Sequence, residues 1–229
     1  MDRRVFLAST GATMVSLTGC IGGNNETGSP DGPTDSSSGQ SIDSHPGATN
    51  LAAQPRLGNL DESQHTIIAF KDPSCPRCRA FKESTVPEIQ RQLINPNIGA
   101  YVLRNYPVVY PWGKPATQAL EATLDRSETA HWKLQNYYYD MQDDFSTENV
   151  QMKTRTFLES NTEVTADAVI NDVDSDAYSN AVTADINAAE EAGLGGTTPS
   201  ILLFNDGQYV TKATGSISYD VIATALGEK

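Results

Sequence analysis

From His65 to Phe70 the chain reads His-Thr-Ile-Ile-Ala-Phe, an apolar run that fits a central strand buried on both faces. After Cys75 the spacing becomes helical, with Cys78, Phe81, Ile89 and Leu93 on one side and Pro87 placed to kink the helix. Ala100 to Leu103 reads as a second strand and runs into the turn-rich stretch Asn105 to Pro115. A strand, helix, strand unit implies parallel pairing through a right-handed crossover. Residues 116–191 then turn helical. Ala119, Leu120, Thr123 and Leu124 make one apolar stripe, and Trp132, Tyr138, Tyr139 and Met141 make a second. Phe157 and Leu158 belong to a third segment capped near Ser146 or Thr147. These aromatics are expected in a core rather than around a ligand. Finally, Ser200 to Phe204 is strand-like, Asn205-Asp206-Gly207 signals a hairpin, Tyr209 to Ala213 returns, and Tyr219 to Leu226 closes as a helix.

The amino-terminal stretch has a different character. Arg3-Arg4-Val5-Phe6-Leu7 and the weakly apolar run to Leu17 resemble a twin-arginine export leader, although Asp2 replaces the usual Ser or Thr. Leu17-Thr18-Gly19-Cys20 matches a lipobox, so residues 1–19 are expected to be a lipoprotein signal and Cys20 the lipidated residue. The other reading is an ordinary signal peptide with an incidental cysteine. From Ile21 to Asn50, 24 of 30 residues are Gly, Ser, Asn, Thr, Asp or Pro, too polar to repay ordering. Residues 20–50 are therefore expected to be a lipid-anchored flexible linker, with a reach on the order of 30 Å. Asn25-Glu26-Thr27 is a weak glycosylation signal within it. The folded part is then expected in three pieces: 51–115, a helical insertion at 116–191, and 192–229.

Charge narrows the partners. With 16 Lys plus Arg against 29 Asp plus Glu, the net charge of −13 argues against nucleic acid or an anionic membrane surface. From Asp125 to Glu191 there are 15 acidic and 4 basic residues, a net of −11. An acidic docking face is one explanation. A solvated surface adapted to high salt is the favoured one, and the seven lysines and many acids resemble proteins of salt-loving archaea. No run approaches the roughly 18 apolar residues of a membrane-spanning helix.

Of three cysteines the leader claims one, which leaves Cys75-Pro76-Arg77-Cys78 between the first strand and its helix. At a helix start Cys75 meets unpaired N–H groups and the positive end of the dipole, which favour a thiolate. Cys78 lies a turn further in, so Cys75 is the candidate nucleophile and Cys78 its resolving partner. Pro76 suits the first turn, and Arg77 is expected to lower the Cys75 pKa further through its charge. A structural zinc site would need a second ligand pair, and His45, His65 and His131 are not spaced to give one. A purely structural disulfide would close too short a loop to stabilise much.

This order of elements, with Cys75-Pro76-Arg77-Cys78 and the loop Gly196-Thr197-Thr198-Pro199-Ser200-Ile201, resembles the DsbA-like family of thiol-disulfide oxidoreductases. The resemblance implies an α/β thioredoxin fold with an inserted helical domain and no cofactor. By the same resemblance Pro199 is cis and lies against Cys75, and the Thr198 backbone pairs with an extended substrate. Partners would be cysteine-containing exported proteins and a membrane protein that recycles the pair, near an anchor at Cys20 on the outer face of the cell membrane. One departure stands out. Many such enzymes carry an acid six positions before the first cysteine, where this chain has Ala69. Lys71 and Asp72 are close in sequence, but alternation does not assign either to Cys78, and water is the expected proton route. Direction is open between disulfide donation, which export and Pro76-Arg77 favour, and disulfide reduction. Competing classes are a lipid-anchored binding protein with an inert disulfide and a metallochaperone, whose Cys-x-x-x-Cys spacing or supporting ligands are not evident.

Overall fold

The structure, a computed structural model, describes residues 39–229. Five strands form one sheet in the order β1-β3-β2-β4-β5. They are β1 (Arg56–Leu57), β2 (His65–Lys71), β3 (Gly99–Asn105), β4 (Ser200–Asn205) and β5 (Gln208–Thr214). β2 and β3 run parallel, as their crossover requires, and the other pairings are antiparallel. Asp206 and Gly207 both have positive φ, 48° and 70°, the two-residue turn whose twist matches a hairpin. Central β2 is buried throughout, so alternate residues serve two cores. Ile67 and Ala69 face α1 (Pro76–Ser84), α2 (Val86–Ile89) and, through Ile222 and Leu226, a C-terminal helix; Ile68 and Phe70 face the opposite core.

The expected kink at Pro87 is a break two residues earlier. Thr85 ends α1, its hydroxyl donates to the Ile217 carbonyl, and Pro87 sits in the first turn of α2, where its missing N–H costs nothing.

Five helices, α3 (Gly113–Leu124), α4 (Glu128–Asp140), α5 (Val150–Asn161), α6 (Ala166–Asp174) and α7 (Ser179–Glu191), stand between β3 and β4. The final helix, α8 (Tyr219–Leu226), has the expected bounds. The fold is therefore an α/β thioredoxin fold carrying an inserted helical block. The block has its own core, which includes Leu120, Leu134, Tyr138, Phe145, Leu158 and Val169. Met141, expected in the second stripe, is instead 42% exposed, because α4 ends at Asp140.

The linker expected over residues 20–50 does not extend to 50. Three short 3-10 turns, Ile42–Ser44, Pro46–Ala48 and Leu51–Ala53, pack on the sheet. His45 stacks on Tyr209 with centroids 4.6 Å apart, and a Cβ on Gly47 would meet Leu202. Ordering here rests on one ring, small residues and buried hydrogen bonds, which composition does not reveal. The Arg104 guanidinium donates to the carbonyls of Gly47 and Thr49 and pairs with Asp185 of α7 at 2.9 Å. Asp185 also accepts from the Asn105 N–H, and the Asn105 side chain donates to Glu121 of α3. Burial, with Asp185 nearby, pushes Glu121 up to about 7. The signal, Cys20 and Asn25 lie outside the described residues.

Candidate active site

β2 ends at Lys71, and Asp72-Pro73-Ser74 turns the chain into α1. Asp72 makes that turn rigid. Its carboxylate accepts from the Ser74 N–H (2.7 Å) and hydroxyl (2.6 Å) and from the N–H groups of Val108 (2.8 Å) and Val109 (2.7 Å). Burial nevertheless pushes its pKa up against these donors. Gly113 is required where α3 meets the turn, since a Cβ there would lie 2.6 Å from Asp72 Oδ1. The tie from this turn to residues 108–110 joins segments more than 30 positions apart.

Cys75 is the N-cap of α1 and Pro76 its first residue. The pair is reduced in this structure. The two sulfurs differ sharply in acidity. The Cys78 thiol, donating to the Cys75 sulfur, is the largest cause bringing Cys75 down to about 6, with help from the N–H groups of Cys78 and Arg77. Burial and the neighbouring Cys75 push Cys78 well above the ordinary thiol value. Arg77 therefore acts through its backbone N–H at the helix start; its side chain is exposed, and the charge effect expected from sequence does not figure among the causes.

Thr198, joined to Pro199 by a cis peptide bond, lies against the sulfur. The Thr198 carbonyl accepts from the Cys75 thiol at 3.3 Å, which favours the protonated form. The Thr198 side chain, also buried beside Cys75, works in the other direction and is among the causes that lower the Cys75 pKa. Cys75, Cys78, Thr198 and Pro199 thus converge, Pro76 and Arg77 sit at the exposed rim, and Cys20 lies outside the described residues.

Sequence reasoning placed Tyr139 only in a core stripe and left Lys71 unassigned. Tyr139 of α4 is buried in one cluster with both cysteines. Lys71, following Ile67 and Ala69 at period two, places its ammonium 4.5 Å from the Tyr139 ring centroid and is 2% exposed. Strand alternation therefore does deliver a titratable group to the Cys78 side, and it is Lys71 rather than Asp72. Among the described residues no cluster of three His, Cys, Asp or Glu side chains is placed to hold a metal. His131 is enclosed; burial lowers its pKa to about 4 while Nδ1 contacts the Leu120 carbonyl.

A family model described as Thioredoxin matches residues 51–225. No curated protein matches the sequence. Among solved structures, BdbD from Bacillus subtilis in its oxidised form superposes with a TM-score of 0.69 at 21% identity, over 83% of this chain and 96% of that one. Alpha-DsbA1 of Wolbachia pipientis gives 0.64 at 16% identity, over 76% and 92%. DsbA of Chlamydia trachomatis gives 0.62 at 16% identity, over 76% and 89%. At these identities the structural likeness establishes the fold.

Proposed function

The chain belongs to the thioredoxin family and is a protein thiol-disulfide oxidoreductase, and we propose that it donates disulfides to proteins outside the cytoplasm through Cys75 and Cys78. The observation that carries this reading is the unequal acidity of the two sulfurs. A sulfur with a pKa near 6 is a good leaving group and stays ionised at neutral pH, which stabilises the reduced enzyme and makes the disulfide oxidising.

In the forward direction a substrate thiolate attacks the Cys75 sulfur. The Cys75–Cys78 bond breaks, and Cys78 leaves with the electron pair. The substrate's second thiolate then attacks its own sulfur in the mixed disulfide and expels Cys75 as thiolate. The substrate has lost two electrons and the enzyme pair has gained them, and no cofactor is required. A membrane protein that takes up those electrons would restore the pair. Thr198, beside Cys75, is the backbone against which an extended substrate would lie. A cleft of about 390 Å³ lined by Ser74, Pro76, Tyr110, Trp112, Gln142 and Phe145 opens at the residues that flank Cys75 in the chain. Val108, Val109 and Tyr110 expose apolar surface beside it, which supports a protein as the substrate.

Equilibration of the full chain with glutathione in high salt tests direction. The expected reduction potential is near the oxidising end for this type of site, about −120 mV; a value near about −270 mV would make the chain a reductase instead. The anchor is tested separately. Cys20→Ser should move the chain from the membrane fraction to the medium, and unchanged membrane retention would remove lipidation from the proposal.

A further inference from the structure

We propose that Lys71 is the proton donor and acceptor for Cys78, taking the role that an acid at position 69 would otherwise fill. The proposal deepens the thiol-disulfide reading and rests on it. When the Cys75–Cys78 bond breaks, the Cys78 sulfur leaves as a thiolate inside the protein, where burial makes that charge costly. The Lys71 ammonium gives it a proton, becomes the neutral amine, and recovers a proton from solvent. In recycling the steps reverse. The amine takes the Cys78 proton, and the resulting thiolate attacks the Cys75 sulfur of the mixed disulfide and expels the partner's sulfur as thiolate.

Four observations support this assignment. Lys71 is enclosed and borders the same Tyr139 ring as both cysteines. Its ammonium sits over that ring rather than against a carboxylate, so no ion pair among the described residues fixes its proton. Burial is the largest influence on it and brings its pKa down to about 8, close enough to neutrality to exchange a proton during turnover. A cavity of about 330 Å³, lined among others by Lys71, Tyr101, Gln135, Lys82 and Asp140 and not by Cys75, reaches it, and room of this size admits water.

The other groups around Lys71 do not compete. From α1 come Cys78 itself and Lys82, which is paired with Asp140 of α4 at 2.6 Å. Tyr139 of α4 and Tyr101 of β3 hold their protons far above the working range because they are buried. Asp72, in the turn after β2, has its carboxylate occupied by Ser74, Val108 and Val109. Cys75 keeps its own charge and needs no proton at neutral pH.

Rapid mixing of the reduced full chain with oxidised glutathione separates two steps. The first, attack by Cys75, depends on glutathione concentration; the second, attack by Cys78, does not. In wild type the second step should rise with pH through an inflection near 8. Lys71→Met should slow it roughly tenfold or more at pH 7 and remove that inflection, with the first step and its inflection near 6 changed about twofold at most. Lys71→Arg, which keeps charge but does not release a proton in this range, should be as slow as Lys71→Met. A second step unchanged in Lys71→Met overturns the proposal, and so does full rescue by Lys71→Arg, which would assign a charge effect. If neither variant folds, a wild-type second step flat from pH 7 to 9 overturns it equally. Failure of wild type to exchange at all would take down the functional reading itself, whereas normal exchange by Lys71→Met removes only Lys71.

Discussion

Cys75→Ser should reduce exchange with glutathione or a thiol substrate by roughly 10³-fold or more, because the reacting sulfur itself is gone. Cys78→Ser should have a different signature. Its Cys75 can still attack, but nothing resolves the product, so a mixed disulfide should accumulate and be visible by mass. The geometry fixes which variant does which. Cys75 caps α1, with the N–H groups of Arg77 and Cys78 turned toward its sulfur, while Cys78 is fully covered one turn in. Absorbance of the thiolate offers a second readout. A step near pH 6 should be present in the reduced wild type and absent from Cys75→Ser, and it should move to higher pH in Cys78→Ala, which has no side-chain donor to Cys75. The sign for stability follows. A folded-state pKa below the unfolded one stabilises the reduced chain fully above the ordinary thiol value of 9.0, and this contribution is lost as pH falls toward and through about 6. Accumulation of a mixed disulfide by Cys75→Ser, rather than by Cys78→Ser, would reverse the assigned roles.

Much of this site was legible because its chemistry is local. Two cysteines three apart between a buried strand and a helix, and Thr-Pro before a strand, are written in consecutive residues. The strands were legible as apolar runs and the hairpin as Asp206-Gly207. What escaped the sequence depends on distant partners. β1 is two residues long and exists only through its pairing with β3. Lys71 reads as a charged residue at a strand end, and only the arrival of Tyr139 from the inserted helices encloses it. Arg77 was assigned an effect of charge, but an exposed guanidinium is screened by water, and the fixed N–H of the same residue acts instead. The turns from residue 41 to 53 look like linker because their order comes from Arg104 and Tyr209, which lie more than 50 positions away in the chain.

Arg104 and Asp185 carry the largest expected effect on stability. Asp185→Ala should cost about 3–5 kcal/mol, the usual consequence of leaving one member of a buried ion pair alone. For a domain of this size that corresponds to a fall in Tm of about 10 °C. The guanidinium would remain 1% exposed with only the Gly47 and Thr49 carbonyls as acceptors, and the Asn105 N–H would lose its own. Burial already raises the Asp185 pKa in spite of Arg104, so holding this charge inside is costly even when paired. The pair is therefore not expected to exceed an apolar replacement. Arg104→Met combined with Asp185→Leu should recover most of the loss, to within about 1–2 kcal/mol of wild type. A loss below about 1 kcal/mol in Asp185→Ala would mean that the network is not what joins α7 and the turns at 41–53 to the sheet. Function should follow the same link. Tyr106, next to Asn105, accepts from the Gly196 N–H through its hydroxyl, and Gly196 begins the loop that brings Thr198 and Pro199 to Cys75. Loosening Asn105 should therefore slow exchange in Asp185→Ala even below its melting transition. The double variant should regain less of that rate than of its stability, because an aliphatic side chain in place of the Asp185 carboxylate cannot accept the Asn105 N–H.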